Sequence, residues 1–272
     1  MGQSVDIFAL AERCLTAASI EDKLAVTLQA KQLLEAGMLH FHDSASALPI
    51  EAVRWPEELR FVDPRRLPRR KPYSLTGRIA LLHAIAHIEF SAIQLHWDNL
   101  QRFPAMPQKY YRDWLQVILE ELNHFCLLRR RLNQLGADYG DLPVHGGLWQ
   151  VAVDTCGDVL ERMALVPRCM EARGLDVTPG MIDSLDRAGD GESAGILEKI
   201  LADEVGHVAL GSFWFKTLCQ QRGVPVEPTY QRLLARHLSQ SPRGPFNRML
   251  RLQAGFSAAE LDQLERQGGI SP

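Results

Sequence analysis

Two four-residue stretches carry residue types that bind transition metals: Glu121-Leu122-Asn123-His124 and Glu204-Val205-Gly206-His207. On an α-helix, residues three apart are neighbours on one face, about 60° apart around the axis. A carboxylate and an imidazole so placed can reach one cation together. One Glu-x-x-His is weak evidence, because helices are rich in Glu. Two copies, each in the middle of a long helical stretch, match the way helix bundles hold two metal ions. Such bundles take Glu-x-x-His from each of two helices and one Glu from each of two others.

The apolar context aims both pairs inward. Around the first, Trp114, Val117, Phe125, Leu128 and Leu132 share the face of Glu121 and His124. Around the second, Leu197, Ile200, Leu201, Val208 and Gly211 share the face of Glu204 and His207. A carboxylate in an apolar stripe is costly unless paired or bound to metal. The bland alternative is a Glu–His pair on a solvated face. Glu120, four residues before His124, keeps company with Asp113, Gln116 and Asn123 and is assigned to the polar side.

Two further glutamates are needed. Glu89 lies among Leu82, Ile85, Ala86, Ile93 and His96, and about as far before the Phe103–Pro107 turn as Glu121 lies after it. An antiparallel hairpin brings the two level. The third helix offers Glu171 and Glu161. Glu171 follows an apolar stripe of Val153, Gly157, Leu160, Ala164 and Pro167, whereas Glu161 sits with Asp154, Asp158 and Arg168 on what reads as a solvated face. Glu171 is chosen, with irregular backbone at 174–179 absorbing the difference in register, and Glu161 is kept in reserve. The ligand set is thus Glu89, Glu121, His124, Glu171, Glu204 and His207. His83 and His87, four apart and nearly opposite Glu89, read as packing or outer-shell groups. Tyr139 and His145 lie in the loop between the second and third helices, where His145 either orients a ligand or fixes the loop. Arg173 either pairs with a carboxylate near the site or faces solvent.

The elements that must position these residues are all helical. Four long helices are expected over about 74–102, 107–136, 147–173 and 192–222, with the third stopping at Gly174 and a short continuation starting at Thr178–Pro179. Two N-terminal helices (4–17 and 20–36) precede them, with Ser19 and Asp22 forming a capping-box-like start. A connector at 38–73 carries Pro49, Pro56, Pro64, Pro68 and Pro72, and within it Arg65, Arg66, Arg69, Arg70 and Lys71. Short helices follow from residue 226, the last capped by Ser257. The expected divisions are 1–73, 74–222 and 223–272, and no alternating strand stands out.

Composition narrows the function classes. The chain has 272 residues, with 30 Lys+Arg against 33 Asp+Glu and a net charge of −3. That balance gives no overall bias toward nucleic acid or anionic membrane. No stretch approaches eighteen uncharged apolar residues, and the N-terminus lacks a signal-peptide pattern, so a cytoplasmic protein is expected. The five cysteines form no Cys-x-x-Cys and read as free buried thiols.

The stretches GRIALLHAIAHIEFSAI, EELNHF, PVHGGLW, RMALVPRCMEARGLDVTP and DEVGHVALG resemble an uncharacterised ferritin-like family known only as a domain of unknown function. That family is distantly similar to diiron hydroxylases that modify tRNA. The resemblance implies a ferritin-like bundle and ligand roles for the six residues above; it marks His145 as a family feature and supplies no substrate.

Imidazole plus carboxylate suits two iron ions, with manganese or a mixed metal as variants. The expected activity is an oxygen-dependent oxidase or hydroxylase acting on an unidentified small molecule or modified nucleotide, with catalytic residues beyond the ligands unassigned. An external electron donor is required, since no flavin or nicotinamide fingerprint is visible. The competing expectations are a non-catalytic metal-binding or oxidative-stress protein, and a helical interaction protein with a structural metal site, whose basic run could contact phosphates. A monomer or dimer is expected.

Overall fold

The computed structural model describes residues 4–41 and 48–267, and these are all-α apart from two two-residue strands. Residues 42–47 of the expected connector and 268–272 of the tail lie outside the described residues. The chain divides into two compact units, Met1–Val153 and Asp154–Pro272. That division runs inside the segment expected at 74–222.

In the first unit, α1 (Ile7–Thr16) and α2 (Ile20–Glu35) form the expected N-terminal pair. Ser19 starts α2 as its hydroxyl accepts the Asp22 N–H at 3.1 Å and donates to the Asp22 carboxylate at 2.7 Å. Parallel strands β1 (Val5–Asp6) and β2 (Leu39–His40) flank them, too short for any alternation to show in the sequence. Helices α3 (Leu75–Arg102) and α4 (Gln108–Gln134) form the centre of the unit, joined by a short turn, with α1 packed on α3 and α2 on α4. Ser74 caps α3 by accepting the Gly77 N–H. Pro107 is the N-cap of α4, one position earlier than the expected first turn. Among the described residues α3 is the helix long and apolar enough to cross a membrane by length and composition, though it is interrupted by Glu89. Its apolar window is 78% buried here, as befits a core helix. Helix α5 (Gly147–Asp154) closes the unit.

The second unit departs from the expected third helix. The run from 147 does not continue unbroken to 173. It stops after α5, and α6 (Val159–Leu165) starts afresh from Asp158, whose carboxylate accepts the Leu160 N–H at 2.8 Å. A π-helical turn (Val166–Glu171) follows, then α7 (Ala172–Arg187), which runs through Gly174 and Pro179 without a break. Pro167 has no N–H to give an α-helical ladder, which favours the wider turn where it occurs. Buried Leu175, Ile182 and Leu185 hold α7 against its neighbours despite the two helix-breaking residues. Asp190 caps α8 (Gly191–Gln221) through the Ser193 N–H. Helices α9 (Val226–His237), α10 (Arg248–Gln253) and α11 (Ala258–Gln267) complete the unit, with Ser257 and Glu260 forming a reciprocal capping box at the last.

Arg168, expected on a solvated face, is fully buried. Its guanidinium donates to Glu260 at 2.8 Å and lies over the rings of Tyr230 and Phe256. All five cysteines are free; Cys14, Cys169 and Cys219 are buried as expected, while Cys126 is exposed and Cys156 half-buried.

Candidate metal centre

The hairpin of α3 and α4 brings Glu89 level with Glu121. Residues Glu89, Glu121 and His124 are all buried in the first unit, and each offers a ligand atom within 4.8 Å of the others. The Nδ1 of His124 lies 3.2 Å from Glu89 Oε2 and 3.4 Å from Glu121 Oε2. Both carboxylate oxygens of Glu121 are shielded from solvent. Burial alone would pull the His124 pKa down. The hydrogen bonds and charges of Glu121 and Glu89 outweigh it and push the imidazole up to about 11. Without metal, an imidazolium therefore offsets part of the negative charge. A metal ion would take that role and leave the imidazole neutral, the form that ligates. Glu120 is on the polar side, accepting a hydrogen bond from Gln116 at 2.8 Å.

The second unit carries the remaining expected residues, of the same types. On α8, His207 Nδ1 lies 3.4 Å from Glu204 Oε1; His207 is buried and Glu204 half-buried. Glu171 ends the π-helical turn, and both its carboxylate oxygens are shielded from solvent. The turn packs closely on α8: a Cβ at Gly211, one helical turn beyond His207, would stand 2.3 Å from Pro167 Cβ. The irregular backbone expected at 174–179 thus lies at 166–171, with Glu171 as its last residue. Glu161 is engaged elsewhere in this unit, accepting from Arg236 at 2.7 Å and pairing with His237 at 2.9 Å.

The remaining candidates do other work. His87 places Nδ1 2.8 Å from the Tyr139 hydroxyl and Nε2 3.0 Å from the His145 carbonyl oxygen. His83 Nε2 accepts the Gly140 N–H at 3.0 Å. Burial pushes both imidazoles down to about 4, so they are neutral loop anchors. His145 Nδ1 accepts the Gly147 N–H at 3.2 Å, the loop-fixing role. Arg173 is exposed, 3.5 Å from Asp176 and donating to the Arg243 carbonyl, and so faces solvent instead of a ligand carboxylate. The buried Arg168–Glu260 pair was missed by sequence reasoning. Its partners lie 92 residues apart, and no local pattern announces them.

A family model described as "Protein of unknown function (DUF455)" matches residues 16–262. An "Uncharacterized protein" of Haemophilus influenzae (strain ATCC 51907 / DSM 11121 / KW20 / Rd) is 38% identical over 258 residues, covering 92% of this chain and 87% of the relative. No solved structure matches. These matches extend over all six expected ligand positions and attach no activity to them.

Proposed function

On the premise that the chain belongs to the DUF455 family, we propose that it is a ferritin-like protein that binds two iron ions and acts as an oxygen-dependent oxidase or hydroxylase. The ligands in this reading are Glu89, Glu121, His124, Glu171, Glu204 and His207. The observation that supports it best is the buried group of Glu89, Glu121 and His124. Two carboxylates converge on one imidazole in an otherwise apolar interior, a combination that invites a cation. The Glu/His cluster is compatible with metal binding.

The second unit offers the chemical counterpart, one Glu-x-x-His and one more Glu. Taken together the two sets supply four carboxylates and two imidazoles, a balanced ligand set for two divalent first-row ions. When bound, iron would supply the electrons that reduce dioxygen, replenished by an external donor. The chain's own residues have narrower roles. Glu89 and Glu121 hold a proton on His124 Nδ1 until metal displaces it. Trp114, Phe125 and Leu128 on the same helix are fully buried too, which keeps that stretch of α4 apolar.

Anaerobic purification, loading with ferrous iron and exposure to air test the reading. The expected result is two irons per chain and oxygen uptake on mixing. Protein that binds no iron rejects the metal centre. Bound iron without oxygen uptake rejects the oxidase and leaves a storage or protective role.

A further inference from the structure

In the first unit, the face of α3 turned away from Glu89 meets the basic connector over a cavity of about 40 Å³. Its walls include Leu67, Arg70, Ile88, Val144, His145 and Leu148. A lodged water takes roughly 10–15 Å³, so this space suits a short hydrocarbon branch or part of a ring, with the rest of a ligand in the open mouth. Ile88 is 49% exposed there, in a helix whose apolar residues are otherwise mostly buried.

The polar atoms of the wall are already engaged. Both ring nitrogens of His87 are used by Tyr139 and His145, and the Ser91 hydroxyl donates to the His87 carbonyl at 2.6 Å. Arg70 differs. Among the described residues neither it nor Arg65, Arg66, Arg69 or Lys71 forms an ion pair. Partial burial lowers the pKa of Arg70, the sign of a cation held partly out of water without a counter-charge. The connector is held firmly: a Cβ at Gly77 would stand 1.7 Å from the Lys71 carbonyl oxygen, so only glycine admits this approach.

We infer that this cavity binds a small apolar carboxylic acid, its hydrocarbon against Leu67, Ile88 and Val144 and its carboxylate on the Arg70 guanidinium. A planar guanidinium suits a carboxylate through two parallel hydrogen bonds, and the apolar wall asks for nothing else polar. A polyanion such as RNA would engage the whole basic run and make no use of the cavity. The site does not depend on the metal centre.

The probe is hexanoate, compared with hexanol and inorganic phosphate and followed by tryptophan fluorescence. Trp55 packs 5.9 Å from the His87 ring and 5.9 Å from Trp149, close enough to report. Hexanoate is expected to bind saturably, with hexanol roughly tenfold weaker. Arg70→Met is expected to erase that preference, and Ala84→Phe, at a further wall residue on α3, to fill the cavity and weaken hexanoate with Arg70 in place. Far-ultraviolet circular dichroism checks that each variant folds. The proposal is overturned by the absence of saturable binding or by phosphate binding as well as hexanoate. An Arg65→Ala/Arg66→Ala variant that loses as much as Arg70→Met also overturns it, and points to a polyanion.

Discussion

The two units bury carboxylates in different company. In the second, Glu260 is held by the Arg168 guanidinium, enclosed by Phe215, Tyr230 and Phe256. In the first, Glu89 and Glu121 converge on His124, whose charge comes and goes with a proton. A fixed cation suits a permanent structural joint. An exchangeable one suits a place where a metal replaces a proton. The difference teaches that buried acid alone does not mark a metal site; the nature of its counter-charge does.

The strongest way to break this contrast is to remove the fixed cation. Arg168→Met leaves Glu260 buried beside an apolar side chain, and the expected cost is about 3–5 kcal/mol, read from urea denaturation and unaffected by added metal. A loss that metal restores would mean that Glu260 also serves as a ligand.

Next comes the close contact of the second unit. Gly211→Ala forces a methyl against Pro167 and is expected to cost about 1–3 kcal/mol and to lower metal content. Gly206→Ala, inside the same Glu-x-x-His but with open space around its Cβ position, is expected to be neutral or stabilising by up to about 1 kcal/mol. Equal losses from the two would deny that the Gly211–Pro167 contact positions Glu171.

The smallest stability change is expected at the exchangeable pair. Glu121→Gln should alter metal-free stability at neutral pH by about 1 kcal/mol or less, while metal binding at the first unit is lost. It should also change the pH profile. In the metal-free wild type, His124 is raised in the fold from its ordinary 6.5 to about 11. Its stabilisation is therefore complete below pH 6.5 and disappears as pH rises toward 11. In Glu121→Gln the decline should begin at the same pH, be smaller in total and end at a lower pH. Denaturation midpoints across that range decide it; identical profiles would show that Glu121 does not hold the His124 proton.

Regular helices made the Glu89, Glu121 and His124 group of the first unit legible. The Phe103–Pro107 turn and the apolar stripes were enough to level Glu89 with Glu121 and to turn Glu120 outward, because α3 and α4 keep one register throughout. Ser19, Ser74 and Ser257 announced three helix starts for the same local reason. The second unit resisted. Asp158 restarts a helix within a stretch read as continuous, and the π-helical turn at 166–171 shifts the register, so Arg168 counted onto a solvated stripe is buried. Gly174 and Pro179 looked like breaks, yet tertiary packing of Leu175, Ile182 and Leu185 carries α7 through them. Glu171 was still chosen over Glu161, on stripe and spacing, although the irregular backbone invoked to support it ends at that residue instead of following it. His83 and His87 read from sequence as packing or outer-shell groups; their hydrogen-bond partners in the 139–145 loop were not legible, since hydrogen bonds across more than fifty residues leave no local pattern.

Anomalous scattering at the iron edge, from crystals of ferrous-loaded protein, addresses the metal centre itself. Two peaks are expected, with the carboxylates of Glu89, Glu121, Glu171 and Glu204 and the Nδ1 atoms of His124 and His207 at bonding distance. Peaks absent from those side chains in iron-saturated crystals, or located on other residues, would contradict the assignment.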